Sequence, residues 1–187
     1  MRSPAPDEHQ TRTTTLEAFA DTILPGEKRF PGDRAVAGVS PGGGAVAAGA
    51  VELLEWDATG VTGGLDDFAR LLNEHARTYA AEKGRSAEEP AFVALSFDER
   101  TDLVRRLTSP GHPEKAMWVS LALFSYMAYD SAAHLDTAEA LAAGHPGLTA
   151  MGIAKPDTDG LWRFRKFSYG RALATPHPNT TPSGSPA

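Results

Sequence analysis

The longest apolar segment, EKAMWVSLALFSYMAYDSAAHL (residues 114–135), constrains the fold most strongly. Apolar side chains fall on nearly every face of a helix drawn through it, and Pro113 stands at the first helical position, where proline is favoured. A helix that is apolar all round is buried. The segment therefore predicts the central buried helix of the fold.

Capping boxes predict where two more helices begin. Thr14 and Glu17 form the first box, and the helix that follows it is expected to end at Pro25. Ser96 and Glu99 form the second box. In this motif two side chains and two backbone N–H groups satisfy each other at a helix N-terminus.

Three further segments, 44–56, 64–83 and 136–143, show helical spacing or helix-start signals. The connection over 25–43 shows neither helical spacing nor a helix-start signal, and it contains three Pro-Gly pairs, at 25–26, 31–32 and 41–42. We therefore predict an all-α fold: a compact bundle of about five to six helices, with a long loop after the first helix and an irregular C-terminal arm.

Composition predicts the domain organisation and the compartment. Residues 1–13 and 175–187 are rich in Pro, Ser and Thr, so we predict disordered tails there and a single helical domain over 14–174. The absence of cysteine excludes disulfides and thiolate metal sites. Because no apolar run is long enough to cross a membrane and no export signal is visible, we expect a cytoplasmic protein.

Charge argues against some partners and favours others. The formal net charge of −6 argues against nucleic acid and anionic membranes, which are bound through basic patches. Residues 155–171 are locally net positive, and Trp162, Arg163, Phe164 and Arg165 are our candidates for binding a partner. The alternative is an arm whose aromatic side chains pack on the helices while the arginines stay in water.

The run of Gly42, Gly43 and Gly44 before a predicted helix raises the possibility of a phosphate site, since backbone N–H groups at a helix N-terminus bind anions. The dinucleotide fingerprint and a Gly-Lys-Ser/Thr ending are both absent. We therefore favour a tight turn followed by a helix start. We predict no cofactor bound by this chain.

The most suggestive polar group lies on the predicted central helix. Tyr126, Asp130 and His134 are spaced i, i+4, i+8 and would share one face. A carboxylate and an imidazole one turn apart can act as an acid–base pair or bind a metal. The alternative is a hydrogen-bonded polar network. No HExxH or Glu-x-x-His pair supplies further ligands, so we predict neither a metal site nor an established catalytic centre.

The block LEAFADTILPGEKRFPGDRAVAGV (residues 16–39) resembles the opening of the gluconate 2-dehydrogenase subunit 3 family. In both, an apolar helix ends in Ala-Asp-Thr-Ile-Leu-Pro, and a Pro-Gly and an Ala-Gly-Val lead to a second helix. Asp21, Thr22 and Pro25 match this motif residue by residue. The sequence is also similar to a group of uncharacterised actinobacterial proteins that share the block ADTILPGEKR…SPGGGAVAAGA.

This resemblance implies a small helical accessory subunit that binds and stabilises a large flavin-dependent oxidoreductase of the glucose-methanol-choline type. The FAD would belong to the partner. The resemblance implies structural roles for Asp21, Thr22 and Pro25, and backbone roles for Gly42, Gly43 and Gly44. The competing hypothesis is a small helical enzyme or ligand-binding protein of secondary metabolism that uses Tyr126, Asp130 and His134.

Overall fold

The computed structural model describes residues 8–155 and residue 179. Over those residues the regular structure consists of eight α-helices and two 3-10 turns, which confirms the all-α prediction. The helices are α1 (Glu8–Ile23), α2 (Ala50–Glu55), α3 (Leu65–Glu82), α4 (Ala91–Ala94), α5 (Phe97–Leu107), α6 (Lys115–Asp130), α7 (Thr137–Ala142) and α8 (Pro146–Ala150).

All of these helices belong to one compact unit, Met1–Ile153. A second unit comprises Ala154–Ala187, and nearly all of it lies outside the described residues. The predicted irregular arm and the predicted tail over 175–187 belong to this second unit. Apart from residues 154, 155 and 179, they lie outside the described residues.

Helix α1 begins at Glu8, so the prediction of a disordered tail is wrong for residues 8–13. The predicted capping box does not form, because the Thr14 hydroxyl lies inside the helix and donates to the backbone carbonyl one turn earlier, at 2.7 Å. Arg12 provides the reason for the longer helix. Its guanidinium pairs with Glu55 at the end of α2, which attaches these first turns to the rest of the unit.

The core is built around the indole of Trp118 on α6, which is fully buried. The ring of Phe19 on α1 lies 6.1 Å from it and the ring of Phe68 on α3 lies 6.4 Å from it, centroid to centroid. Phe92 of α4 packs against Phe19 at 6.5 Å. Aromatic pairs at such distances stabilise beyond the area they bury. This cluster joins α1, α3, α4 and α6.

Helix α6 is buried on one face only, which corrects the prediction of a helix buried on all sides. Its buried residues recur every three or four positions: Trp118, Leu121, Ser125 and Ala128. The opposite face carries large apolar side chains that are exposed: Leu123, Tyr126 and Met127. Neither α6 nor any other helix in the described part of the chain has the length and apolar character needed to span a membrane.

Helices α3 and α7 lie within one residue of their predicted bounds, and α5 begins directly after the predicted cap, Ser96. At α5, both hydrogen bonds of the predicted capping box between Ser96 and Glu99 are present. At α7, the Asp136 side chain accepts a hydrogen bond from the N–H of Glu139. Helices α4 and α8 are only four and five residues long, too short to show a helical period, and they were not predicted.

Candidate functional site

The connection from α1 to α2 contains no helix, as predicted for 25–43, and the structure extends it to residue 49. It is nevertheless anchored by buried charged side chains. Three charged side chains other than histidine are buried among the described residues, namely Asp21, Asp33 and Arg100, and each of them hydrogen-bonds to this loop. The loop is our candidate functional site.

Asp21, in the last turn of α1, binds the loop at two separate points. Its Oδ1 accepts a hydrogen bond from the N–H of Gly26 at 3.1 Å, and its Oδ2 accepts one from the N–H of Ala37 at 2.8 Å. Burial raises the pKa of this carboxyl group, and the two backbone hydrogen bonds act in the opposite direction. One carboxylate therefore holds both ends of a twelve-residue stretch, 26–37, against α1.

Asp33 organises the middle of the loop. Its carboxylate accepts hydrogen bonds from the N–H groups of Ala35 and Val36 and from the guanidinium of Arg29, the last at 2.7 Å. Burial acts to raise the pKa of Asp33, but these hydrogen bonds outweigh it, so the pKa lies below its ordinary value. Arg29 also pairs with Glu17 of α1, and the two carboxylates raise its pKa.

Arg100 of α5 holds the loop through hydrogen bonds from its guanidinium group. Its guanidinium donates to the carbonyls of Ala35 and Arg34, both at 2.8 Å, and to the carbonyl of Val93, which follows Phe92 in α4, at 2.6 Å. Burial lowers the pKa of this group, while the charge of Asp21 acts to raise it. Its Nε is buried and has no hydrogen-bond partner among the described residues. A buried cation thus ties the loop to two other helices.

The buried carboxylates are occupied by backbone N–H groups and a guanidinium, so they fix the backbone and are not poised to transfer protons. The outer side of the loop is different. Phe30 and Val39 are 55% and 54% exposed. A groove of about 380 Å³ runs beside Phe30, and Arg34 and Pro90 contribute to its walls. The loop can therefore present a fixed apolar and basic surface.

The three glycines act through their backbone. A Cβ on Gly44 would lie 2.4 Å from the carbonyl oxygen of Leu24, and a Cβ on Gly26 would lie 2.4 Å from the N of Gly44. The loop therefore crosses itself backbone against backbone. Gly42 has a left-handed φ of +77°, and a Cβ on Gly43 would meet the ring of Pro146.

The helix predicted from residue 44 begins only at Ala50. Residues 45–49 form turns, and Gly49 has a left-handed φ of +82°, which an α-helix does not accept. Within the helix that does form, Ala50, Leu53 and Leu54 are buried. Because α2 begins six residues after Gly44, no helix N-terminus lies at the glycine run to bind a phosphate. The hydroxyl of Thr22 donates to a backbone carbonyl within α1, which is a structural contact.

The predicted face of Tyr126, Asp130 and His134 does not form on one helix. Helix α6 ends at Asp130, and Ala132 has a left-handed φ of 48°, so the helical spacing stops before His134. His134 instead packs against Gly49, where an added Cβ would lie 2.5 Å from its Nε2. Burial lowers the pKa of His134. The acid–base arrangement proposed from spacing is therefore not supported by the helix geometry.

Sequence reasoning missed a polar cluster at the junction of α3 and α6. Nε2 of His75 lies 2.7 Å from an oxygen of Glu114, and the indole N–H of Trp118 donates to the same oxygen at 2.9 Å. These two contacts lower the pKa of Glu114. The i, i+4 spacing of Glu114 and Trp118 is visible in the sequence, whereas the contact with His75 depends on helix packing. No three His, Asp or Glu side chains are arranged to hold a metal ion in the part described.

The predicted partner-binding residues, Trp162, Arg163, Phe164 and Arg165, lie outside the described residues. In a comparison with known protein families, the model described as a family of unknown function (DUF5987) matches residues 10–187. No curated protein and no solved structure matches the chain. The resemblance of residues 16–39 to the gluconate 2-dehydrogenase subunit 3 family therefore stays a prediction.

Proposed function

This chain belongs to the DUF5987 family, whose function is unknown, and we propose that it is a non-catalytic accessory subunit. Its partner would be a large flavin-dependent oxidoreductase of the glucose-methanol-choline type, bound and stabilised in the cytoplasm. The FAD would be held by the partner, and this chain would supply a binding surface.

The sequence supports the kind of partner. The block over residues 16–39 resembles the opening of an accessory subunit of such enzymes. In this chain the same block contains Asp21, Arg29 and Asp33, the side chains that order the loop. Asp21, one of the three residues that match the motif, is thus also one of the side chains that order the candidate surface.

The energetics of the loop support a binding role. A loop that is already fixed loses little conformational entropy when a partner binds, so more of the contact energy appears as affinity. The loop is fixed by buried charged side chains on α1 and α5. Because these side chains are buried, they hold the loop in place without forming part of its exposed surface. Arg100, for example, donates to two loop carbonyls while remaining buried.

The observation that carries the proposal is the exposure of Phe30. Its ring is 55% exposed on a loop whose flanking residue, Arg29, is held by both Glu17 and Asp33. Exposed large aromatics next to arginine are typical of the few residues that supply most of the energy of a protein interface. A rigid aromatic beside a groove suits docking against a partner.

The proposal is tested by capturing the tagged chain from its native host and recording the absorbance spectrum and subunit masses of the eluate. We expect a large subunit in fixed stoichiometry and the oxidised flavin band near about 450 nm. Repeated recovery of the chain alone, or with partners that carry no flavin, would overturn the proposal.

A further inference from the structure

The outer face of α6 carries a continuous stripe. Its members are Ala116, Ser120, Leu123, Met127 and Asp130, and all of them are exposed. Their alternating spacing of four and three residues is that of the seam of a coiled coil. Leu123, in the middle of the stripe, is 55% exposed, although large apolar side chains at seam positions are normally covered.

The stripe lacks charge between its ends. The sequence of α6 places Lys115 first and Asp130 last, with no charged residue between them. Tyr126, 47% exposed, and Val119, half-buried, extend the surface along one side of the stripe. Exposed apolar patches of this kind on a helix mark interaction sites.

We propose that a second copy of this chain covers the stripe, with the two α6 helices packed antiparallel about a twofold axis midway between Ser120 and Leu123. A twofold axis makes the interface self-complementary, so each position must fit its counterpart on the other copy. The stripe meets this requirement in both size and charge.

The order of small and large side chains along the stripe favours the antiparallel arrangement. In the antiparallel arrangement Ser120 faces Leu123 of the second copy, and Ala116 faces Met127 of the second copy. Each small side chain thus meets a large one, which fills the interface evenly. In a parallel arrangement Ala116 would face Ala116 and Met127 would face Met127, leaving a gap at one end and crowding at the other.

The charges at the two ends of α6 also favour the antiparallel arrangement. The antiparallel arrangement brings Lys115 of one copy to the same end as Asp130 of the other. It also places the Asp130 carboxylate near the N-terminus of the opposite α6, where the helix dipole favours negative charge. A parallel arrangement would bring like charges together at both ends. This inference rests on α6 and does not depend on the proposed oxidoreductase partner.

The oligomeric state is measured by sedimentation equilibrium of the full chain and of two variants. We expect the mass of two 19.8 kDa chains for the wild type. Leu123→Arg should raise the dissociation constant by about 30-fold or more, as truncating a central interface residue does. Leu135→Arg is the matched control, because Leu135 is 47% exposed and lies outside the stripe; it should leave the mass unchanged.

The relative orientation of the two α6 helices is measured by disulfide cross-linking. Because the chain has no cysteine, only the introduced thiols can react. The double variant Ala116→Cys/Met127→Cys should form an interchain disulfide. Each single variant should not, because its two thiols would lie roughly 16 Å apart along the helix axis at about 1.5 Å per residue. A monomer at the highest attainable concentration, or cross-linking in the single variants, would overturn the proposal. So would equal weakening by the Leu123 and Leu135 variants.

Discussion

Oδ2 of Asp21 accepts a hydrogen bond of 2.8 Å from the N–H of Ala37, sixteen residues further along the chain. Oδ1 of the same carboxylate accepts one from the N–H of Gly26. The loop after α1 therefore has a defined path before any partner binds, because one buried side chain on the helix holds it at both points.

Asp21→Asn should destabilise the protein by about 1–3 kcal/mol, the cost of leaving one buried donor without an acceptor. The amide has one oxygen where the carboxylate has two, so its NH₂ group must face either the Gly26 or the Ala37 N–H. Urea unfolding measures the change in free energy, and hydrogen exchange at Ala37 shows whether that amide becomes less protected. An unchanged unfolding midpoint with unchanged exchange would contradict the role given to Asp21.

Gly44→Ala should destabilise more than most single substitutions, by about 3 kcal/mol or more. The added Cβ would lie 2.4 Å from a backbone oxygen, which cannot move away as a flexible side chain can. Gly32→Ala is the control, because nothing lies within 4 Å of the added atom. Its effect should stay within about 0.5 kcal/mol. Equal thermal midpoints for the two variants would refute the backbone crossing.

Arg100→Met should cost about 2–4 kcal/mol, because it removes the donor for three backbone carbonyls. Arg100→Lys keeps the charge but loses the planar fork, so it should recover only part of the stability. Arg105→Met, at an exposed position of the same helix, serves as the control. If Arg100→Lys is as stable as the wild type in chemical denaturation, the positive charge alone holds the loop, and the role given to the three guanidinium hydrogen bonds is wrong.

His134 should make stability fall at mildly acidic pH. Burial disfavours its charged form and lowers its pKa from 6.5; His145 acts in the same direction and Glu52 in the opposite one. The folded state therefore binds a proton less tightly than the unfolded state, so stability is complete above 6.5 and is lost as the pH falls through the folded pKa.

The measurement is the unfolding free energy of wild type and His134→Gln across this pH range. The variant should have a shallower decline than the wild type. His9→Gln, at an exposed position in α1, should keep the wild-type decline. If all three proteins show the same pH profile, His134 is not responsible for it.

Helices with local start signals were predicted well from sequence. The capping box of Ser96 and Glu99 is formed as expected, and the helix expected over 136–143 is present as Thr137–Ala142. Thr14 shows the limit of such signals, because the same residue pattern lies inside a longer helix that Arg12 and Glu55 hold in place. Because Arg12 and Glu55 are far apart in the sequence, a local sequence pattern cannot predict their ion pair.

The candidate site was predicted in outline only. The long loop was expected, and the family resemblance pointed to Asp21 before any contact was known. The partners of Arg100 and the crossing of Gly26 and Gly44 depend on tertiary packing, which spacing does not reveal. Spacing misled at His134, because the chain turns at Ala132 and the helical period ends there.

In the proposed complex, the ordered loop binds the flavoprotein through Phe30. The most direct measurement is the flavin absorbance recovered per captured chain for wild type, Phe30→Ser and Trp56→Ser. Trp56 is the matched control, a 47% exposed aromatic outside residues 24–49. We predict that the flavin is retained by wild type and Trp56→Ser and lost with Phe30→Ser. Equal flavin recovery in all three, or none with the wild type, would contradict the claim.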